Sequence, residues 1–180
     1  MGNNYTYDNG HVQFKMTYNF SLDKLVSWLS KDALAAAMVD CRNYLEMEVK
    51  KRFTGERGPK GRKWTKLSPL TVKMKGGVKT KLFFKRHLYK SIRSIAYADQ
   101  VILWTKERYA RMMQEGASYR TTMKQSVYLW YNLFNKTGNP FQIYNIKIPP
   151  RPFFGFSDKN IAKCQQIIYK HIKKGENIGK

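Results

Sequence analysis

Three histidines, two cysteines and twelve acids are what this 180-residue chain offers to catalysis, and they are scattered. His11, His87 and His171 fall in separate segments, with no metal-ligand spacing between them. Asp40, Glu46, Glu48, Glu107 and Glu115 read as solvated helix positions, and no carboxylate pair for general acid–base work stands out. The stretch GERGPKG from Gly55 to Gly61 has the glycines of a phosphate cradle. It lacks the G-x-x-x-x-G-K-[ST] order and does not follow an apolar strand. Cys41 and Cys164 lie far apart within helical patterns and read as small buried hydrophobes, as expected of a protein made in a reducing compartment. No enzyme, cofactor or metal site is expected.

Charge is the chemistry the chain does have. Lys and Arg number 34 against 12 Asp and Glu, a net of +22, while 42% of residues are hydrophobic and 14% aromatic. A chain of that apolar content can build a core, so it is no disordered basic tail. Such self-repulsion suggests a polyanionic partner: nucleic acid, an acidic protein surface or an anionic membrane. No stretch approaches the roughly 20 apolar residues of a membrane span. The polar start MGNNYTYDNG does not read as a signal peptide. The charge is also concentrated. Lys50 to Arg93 holds sixteen basic residues and one acid, Glu56, a net of +15. Its candidate polyanion- or partner-contacting residues are Lys60, Arg62, Lys63, Lys66, Lys73, Lys75, Lys79, Lys81, Lys85 and Arg86. The interleaved rings Trp64, Phe83, Phe84 and Tyr89 would stack on bases in a single-strand binder, or pack into the core beneath solvated lysines. No helix-turn-helix, zinc-ligand or RNP-like signature accompanies them.

The elements that must carry these residues follow from periodicity. Residues 1–10 read as a flexible arm. From His11 to Phe20 apolar residues alternate, as in a half-buried strand. Ser21 caps a short helix through Leu29, with a bend near Ser30. A long helix then runs to Phe53, with Leu34, Met38, Cys41, Leu45, Val49 and Phe53 on its apolar stripe and an alanine-rich start suited to close packing. Gly55, Gly58, Pro59 and Gly61 break it. Ser68-Pro69 opens a short helix that Gly76-Gly77 ends. Residues 87–93 can form one or two further helical turns. Ser94–Tyr97 and Val101–Trp104 form a hairpin about Asp99-Gln100, and a helix ends at Gly116. VYLWYNLF, Val127 to Phe134, fits strand or helix and should be buried, in the core or against another subunit. Phe141 to Ile148 alternates as a strand that Pro149-Pro150 stops. Ser157 caps a last helix with Ile161, Cys164, Ile168 and Ile172 on its stripe. The fold class is therefore α+β: a small, mostly antiparallel sheet against a long N-terminal helix and a C-terminal helix, with a basic, loop-rich excursion.

Three blocks of the chain resemble the phage virion morphogenesis family, the tail-completion proteins of contractile-tailed bacteriophages. The first is carried by Phe53, Pro59, Gly61, Trp64, Leu67, Thr71 and Lys75. The second begins at Leu88, Ser91 and Ile92 and continues with Tyr109, Ala110 and Gly116; Gln114-Glu115 stand where the family has a histidine. The third is carried by Pro149, Arg151, Pro152, Phe153, Gly155 and Ser157. The blocks arrive in family order.

The resemblance implies one tail-completion-like domain over residues 11–174, with a frayed tail at 175–180. It implies a non-enzymatic virion protein of the head–tail junction, assembled in the host bacterial cytoplasm. Its expected partners are copies of itself in a ring, commonly sixfold, neighbouring neck, connector and tail-tube proteins, and packaged DNA, but no membrane. Residues proposed for subunit or partner interfaces are Trp64, Tyr128, Trp130, Arg151, Phe153 and Phe154. Trp64 reads first as a core anchor. The rigid Pro149–Pro152 segment could dock on a neighbour or cover the final helix, and Arg151 could pair with an acid across an interface. The alternative to this reading is a nucleic-acid-binding protein using residues 50–93.

Overall fold

The apolar stripe of the long helix sits where its three- and four-residue spacing puts it. In the computed structural model, which describes residues 4–8, 11–17, 31–83, 85–97, 100–132 and 139–176, helix α1 spans Lys31–Gly55. Met38, Cys41, Leu45, Val49 and Phe53 are buried along it and Leu34 is half-buried. Of the alanines at its start only Ala37 is buried, while Ala35 and Ala36 are exposed. The short helix expected from Ser21, and the bend at Ser30, lie outside the described residues.

Helix α1 packs on one side against the C-terminal helix and on the other against a sheet. The sheet has strand order β1-β2-β4-β3, antiparallel throughout: β1 (Asn4–Asp8), β2 (His11–Thr17), β3 (Arg93–Ala96) and β4 (Gln100–Thr105). Asn4–Asp8, read from the sequence as part of an arm, pairs with β2 in register Asn4↔Lys15. The expected hairpin forms between β3 and β4, with Tyr97 N–H donating to Gln100 O at 2.8 Å. Val101 and Leu103 point from β4 into the core beneath α1.

Along the chain, the short helices α2 (Pro69–Met74) and α3 (His87–Ser91) come between α1 and β3. Ser68 caps α2 as its sequence predicts, its side chain accepting Thr71 N–H at 3.2 Å with Pro69 next in line. Helix α4 (Ala110–Glu115) follows the sheet and ends at Gly116, whose φ of 83° favours glycine. A Cβ there would also sit 2.8 Å from Ile148 O, so only glycine lets the two segments approach this closely.

Within the stretch that admitted strand or helix, the described residues are helical, in α5 (Met123–Asn132); β5 (Ala117–Arg120) before it and β6 (Asn145–Ile148) after it form a second antiparallel sheet. A capping box starts α5: Gln125 N–H donates to Thr122 Oγ1 at 3.3 Å, and Thr122 N–H to Gln125 Oε1 at 2.9 Å. The strand expected from Phe141 begins only at Asn145. The ladder stops at Thr121, whose hydroxyl accepts Tyr144 N–H at 2.9 Å, and Asn139 turns the chain by accepting Phe141 N–H at 2.8 Å.

Helix α6 (Asp158–Glu176) closes the core. Ser157 caps it: its hydroxyl accepts Asn160 N–H at 3.3 Å, while Asn160 Oδ1 accepts Ser157 N–H at 3.1 Å. Cys164 and Ile168 are buried and Ile161 and Ile172 half-buried, the stripe its spacing predicts. The two cysteines, distant in sequence, meet where α1 lies on α6, with Cys41 Sγ donating to Cys164 O at 3.7 Å. Hydrogen bonding with the Cys164 side chain, and burial, push the Cys41 thiol well up. No helix among the described residues is long and apolar enough to cross a membrane.

Candidate functional site

Two segments distant in sequence and both marked by their proline and glycine content fold onto each other: the loop that breaks α1 (Glu56–Thr65) and the segment that precedes α6 (Pro149–Ser157). Trp64 joins them. Its Nε1–H donates to Pro152 O at 2.9 Å, and its ring stands edge-on to Phe53 with centroids 5.8 Å apart. Gly58 lies against the same proline, where a Cβ would come within 3.3 Å of Pro152 Cγ and O. Arg151 Nε–H donates to Thr65 O at 3.3 Å, and Arg151 N–H to Met113 O at 2.7 Å.

The segment's own backbone is held by three buried polar side chains from three helices. Arg52 of α1 donates to Phe153 O at 2.8 Å, Gly155 O at 2.6 Å and Asn160 Oδ1 at 3.1 Å. Gln114 of α4 accepts the N–H groups of Phe153 and Phe154, both at 3.0 Å, and donates to Phe154 O at 3.1 Å. Asn160 of α6 completes the set and donates to Tyr44 Oη at 3.1 Å. A segment rich in proline has few N–H groups for a ladder, so side chains replace the sheet that would otherwise hold it.

The geometry corrects the interface assignment for four residues. Phe153 and Phe154 are fully buried, Trp64 is 4% exposed and Arg151 5%, so all four sit in the chain's own interior. Trp64 is the core anchor, and the proline segment is held against α1, α4 and the loop after α1. Arg151 donates to backbone oxygen, and burial lowers its pKa against the opposing charge of Glu56 in the same chain.

Of the two burials expected for VYLWYNLF, the one in the chain's own core is not found over the described residues. On α5, of the residues described, only Ser126 and Leu129 are buried, and Trp130 is half-buried. Met123, Val127, Tyr128 and Tyr131 face out, with Tyr128 58% and Tyr131 59% exposed. Residues 133–138 lie outside the description.

The excursion presents charge to solvent. Lys60, Arg62, Lys63, Lys66, Lys73, Lys79, Lys85 and Arg86 are exposed, whereas Lys75 and Lys81 are half-buried. Lys81 ties the excursion to its base: its backbone N–H donates to Glu56 Oε1 at 2.6 Å and its ammonium pairs with the same carboxylate. Partial burial would raise Glu56, but these donors outweigh it and hold the carboxyl below its ordinary value. Lys75 donates to Thr80 O, and burial, with the Arg151 charge behind it, lowers its pKa. Of the interleaved rings, Phe83 stacks edge-on to Tyr89 and lies 4.8 Å under the Arg86 guanidinium. Phe84 lies outside the described residues.

Between the two segments opens a cavity of about 510 Å³. Trp64, Pro152 and Phe156 line its apolar side, and Lys60, Arg62 and Lys63 its basic one. Two other hollows of similar size line α1, but the acids in them already have partners, Glu46 with Lys50 and Asp40 with His171. Among the described residues no group of three His, Cys, Asp or Glu side chains could hold a metal ion.

Sequence reasoning missed Arg52, Gln114 and Asn160. Each had a signal. Arg52 falls three residues after Val49 and beside Phe53 on the apolar stripe, and Gln114 and Asn160 stand four residues from buried Ala110 and Cys164.

All three sequence blocks meet at this joint, Gln114 from the second clamping residues of the third. Residues 20–173 match the phage virion morphogenesis family, and the chain belongs to that family. Its role accordingly lies in assembly of the phage virion. No curated protein and no solved structure matches the chain.

Proposed function

We propose that this protein is a non-enzymatic structural or assembly subunit of the phage head–tail junction. In this reading it completes or terminates the tail, joins it to the head and forms a ring, sixfold, around the DNA channel. Family membership over most of the chain carries the reading. Two surfaces support it. The outward apolar face of α5, with Tyr128 and Tyr131, is of the kind that a subunit contact covers, and Trp130 lies at its edge. The exposed cations of the excursion suit an acidic neighbour or the packaged DNA.

Negative-stain imaging of the recombinant protein with a tail-tube preparation tests it. The expected result is rings on tube ends. A strictly monomeric protein that leaves tube ends bare and is missing from purified virions overturns the reading.

The second reading, a nucleic-acid-binding protein, is favoured by one observation: eight of the ten proposed contact cations point outward. It predicts DNA affinity that falls steeply with salt. Absence of measurable DNA or RNA binding at low salt removes it.

A further inference from the structure

We propose that the cavity between Trp64 and the proline segment receives an acidic peptide of another virion protein, one that inserts an apolar side chain. This rests on the reading of the chain as an assembly protein. The cavity volume of about 510 Å³ is that of a specific small site, and it is two-sided. Its apolar wall of Trp64, Pro152 and Phe156 suits a buried aliphatic or aromatic anchor, and its other wall holds Lys60, Arg62 and Lys63. Among the described residues none of these three side chains has an acceptor within hydrogen-bond distance, and no acid lines the cavity. Carboxylates flanking the anchor complement that charge.

Two other occupants fit worse. A nucleic-acid base brings a polar edge that needs hydrogen-bond partners in the cavity. The Trp64 N–H is spent on Pro152, leaving no indole donor for a base edge. A second copy of the chain has no acidic run to offer. Its closest acids, Glu46 and Glu48, lie on α1, each already paired with a lysine.

Fluorescence anisotropy on the full chain decides the matter with three labelled probes at about 0.15 M salt. They are the peptide EELFEE, the equally charged EEGSEE without an anchor, and a short oligo-dT. The expected result is EELFEE binding about tenfold or more tighter than EEGSEE. Two variants localise it. Lys60→Glu with Lys63→Glu removes binding of both peptides. Thr65→Trp fills the cavity from an exposed lining position, leaves the charges in place and abolishes the difference between the peptides. Equal affinity for the two peptides, no peptide binding, or an unchanged preference in Thr65→Trp overturns the proposal. So does oligo-dT binding more tightly than EELFEE. Failure here leaves rings on tube ends unaffected, whereas bare tube ends with intact peptide selectivity would remove the head–tail reading alone.

Discussion

The junction of α1 with α6 and the excursion from Glu56 to Arg86 are held in opposite ways. The helix pair shares a continuous apolar stripe, with Met38, Cys41, Leu45 and Val49 on α1 and Cys164 and Ile168 on α6 all buried. The excursion has almost no core of its own: its helix α2 buries no residue, and it is fixed at separate points. Those points are Trp64 on Pro152, Thr65 on Arg151 and Lys81 on Glu56. Stability is thereby concentrated in one region and charge display in the other. Phe53 stands where they join, touching Trp64, Tyr89 and Phe153 with centroids 5.5–5.9 Å away.

Removing that joint should have the largest effect. Phe53→Ala is expected to cost about 3–5 kcal/mol through lost burial and the cavity left behind, read as a shift in the urea midpoint. A loss below about 1 kcal/mol would mean that the two regions do not share this core. Trp64→Phe separates them more finely. It keeps a ring but loses the indole donor to half-buried Pro152 O, at about 1–2 kcal/mol. The excursion should then be cut by trypsin at its exposed lysines well before the helices unfold. Equal loss of both on the same time course would show that the excursion is no separate unit.

That difference also explains what could be read from the residues alone. The α1 and α6 stripes were legible because a buried face repeats at the helical period, and the Ser68 and Ser157 caps were legible because capping is local chemistry. The joint was not legible. The Trp64–Pro152 bond spans 88 positions, and no period encodes such a distance. Arg52 carries the same charge as its neighbours Lys50 and Lys51, and its place on the stripe is what marks it for the interior. For α5, aromatic content drew attention to burial while the capping box at Thr122 and Gln125 already marked a helix start. The family resemblance located the blocks that meet, while the reading of Trp64, Phe153 and Phe154 as interface residues gave way to an interior position.

A smaller effect should follow at the tie between Lys81 and Glu56. Glu56→Gln keeps the shape and removes the charge, and for a pair this close to solvent the cost should be under about 1 kcal/mol at pH 7. The sign with pH is definite. The folded-state value of Glu56 lies below the ordinary 4.5, so its contribution is present above that pH and disappears as pH falls through the folded value. Wild type and Glu56→Gln should therefore differ in urea midpoint at neutral pH and converge in acid. A difference that grows on acidification would assign the opposite sign to this group.

The smallest change in stability belongs to the exposed cations, where the contrast between the regions is sharpest. Lys66→Glu and Lys79→Glu alter side chains that contribute nothing to the core, so each should shift stability by no more than about 0.5 kcal/mol. Their effect should instead appear in binding to any polyanion. If the excursion meets DNA, each substitution lowers the slope of log affinity against log salt by about 1. Relief of like-charge crowding within the +15 segment could even raise the urea midpoint slightly, which costs the comparison nothing. A fall of about 2 kcal/mol would break it, because these lysines would then be holding the fold as well as displaying its charge.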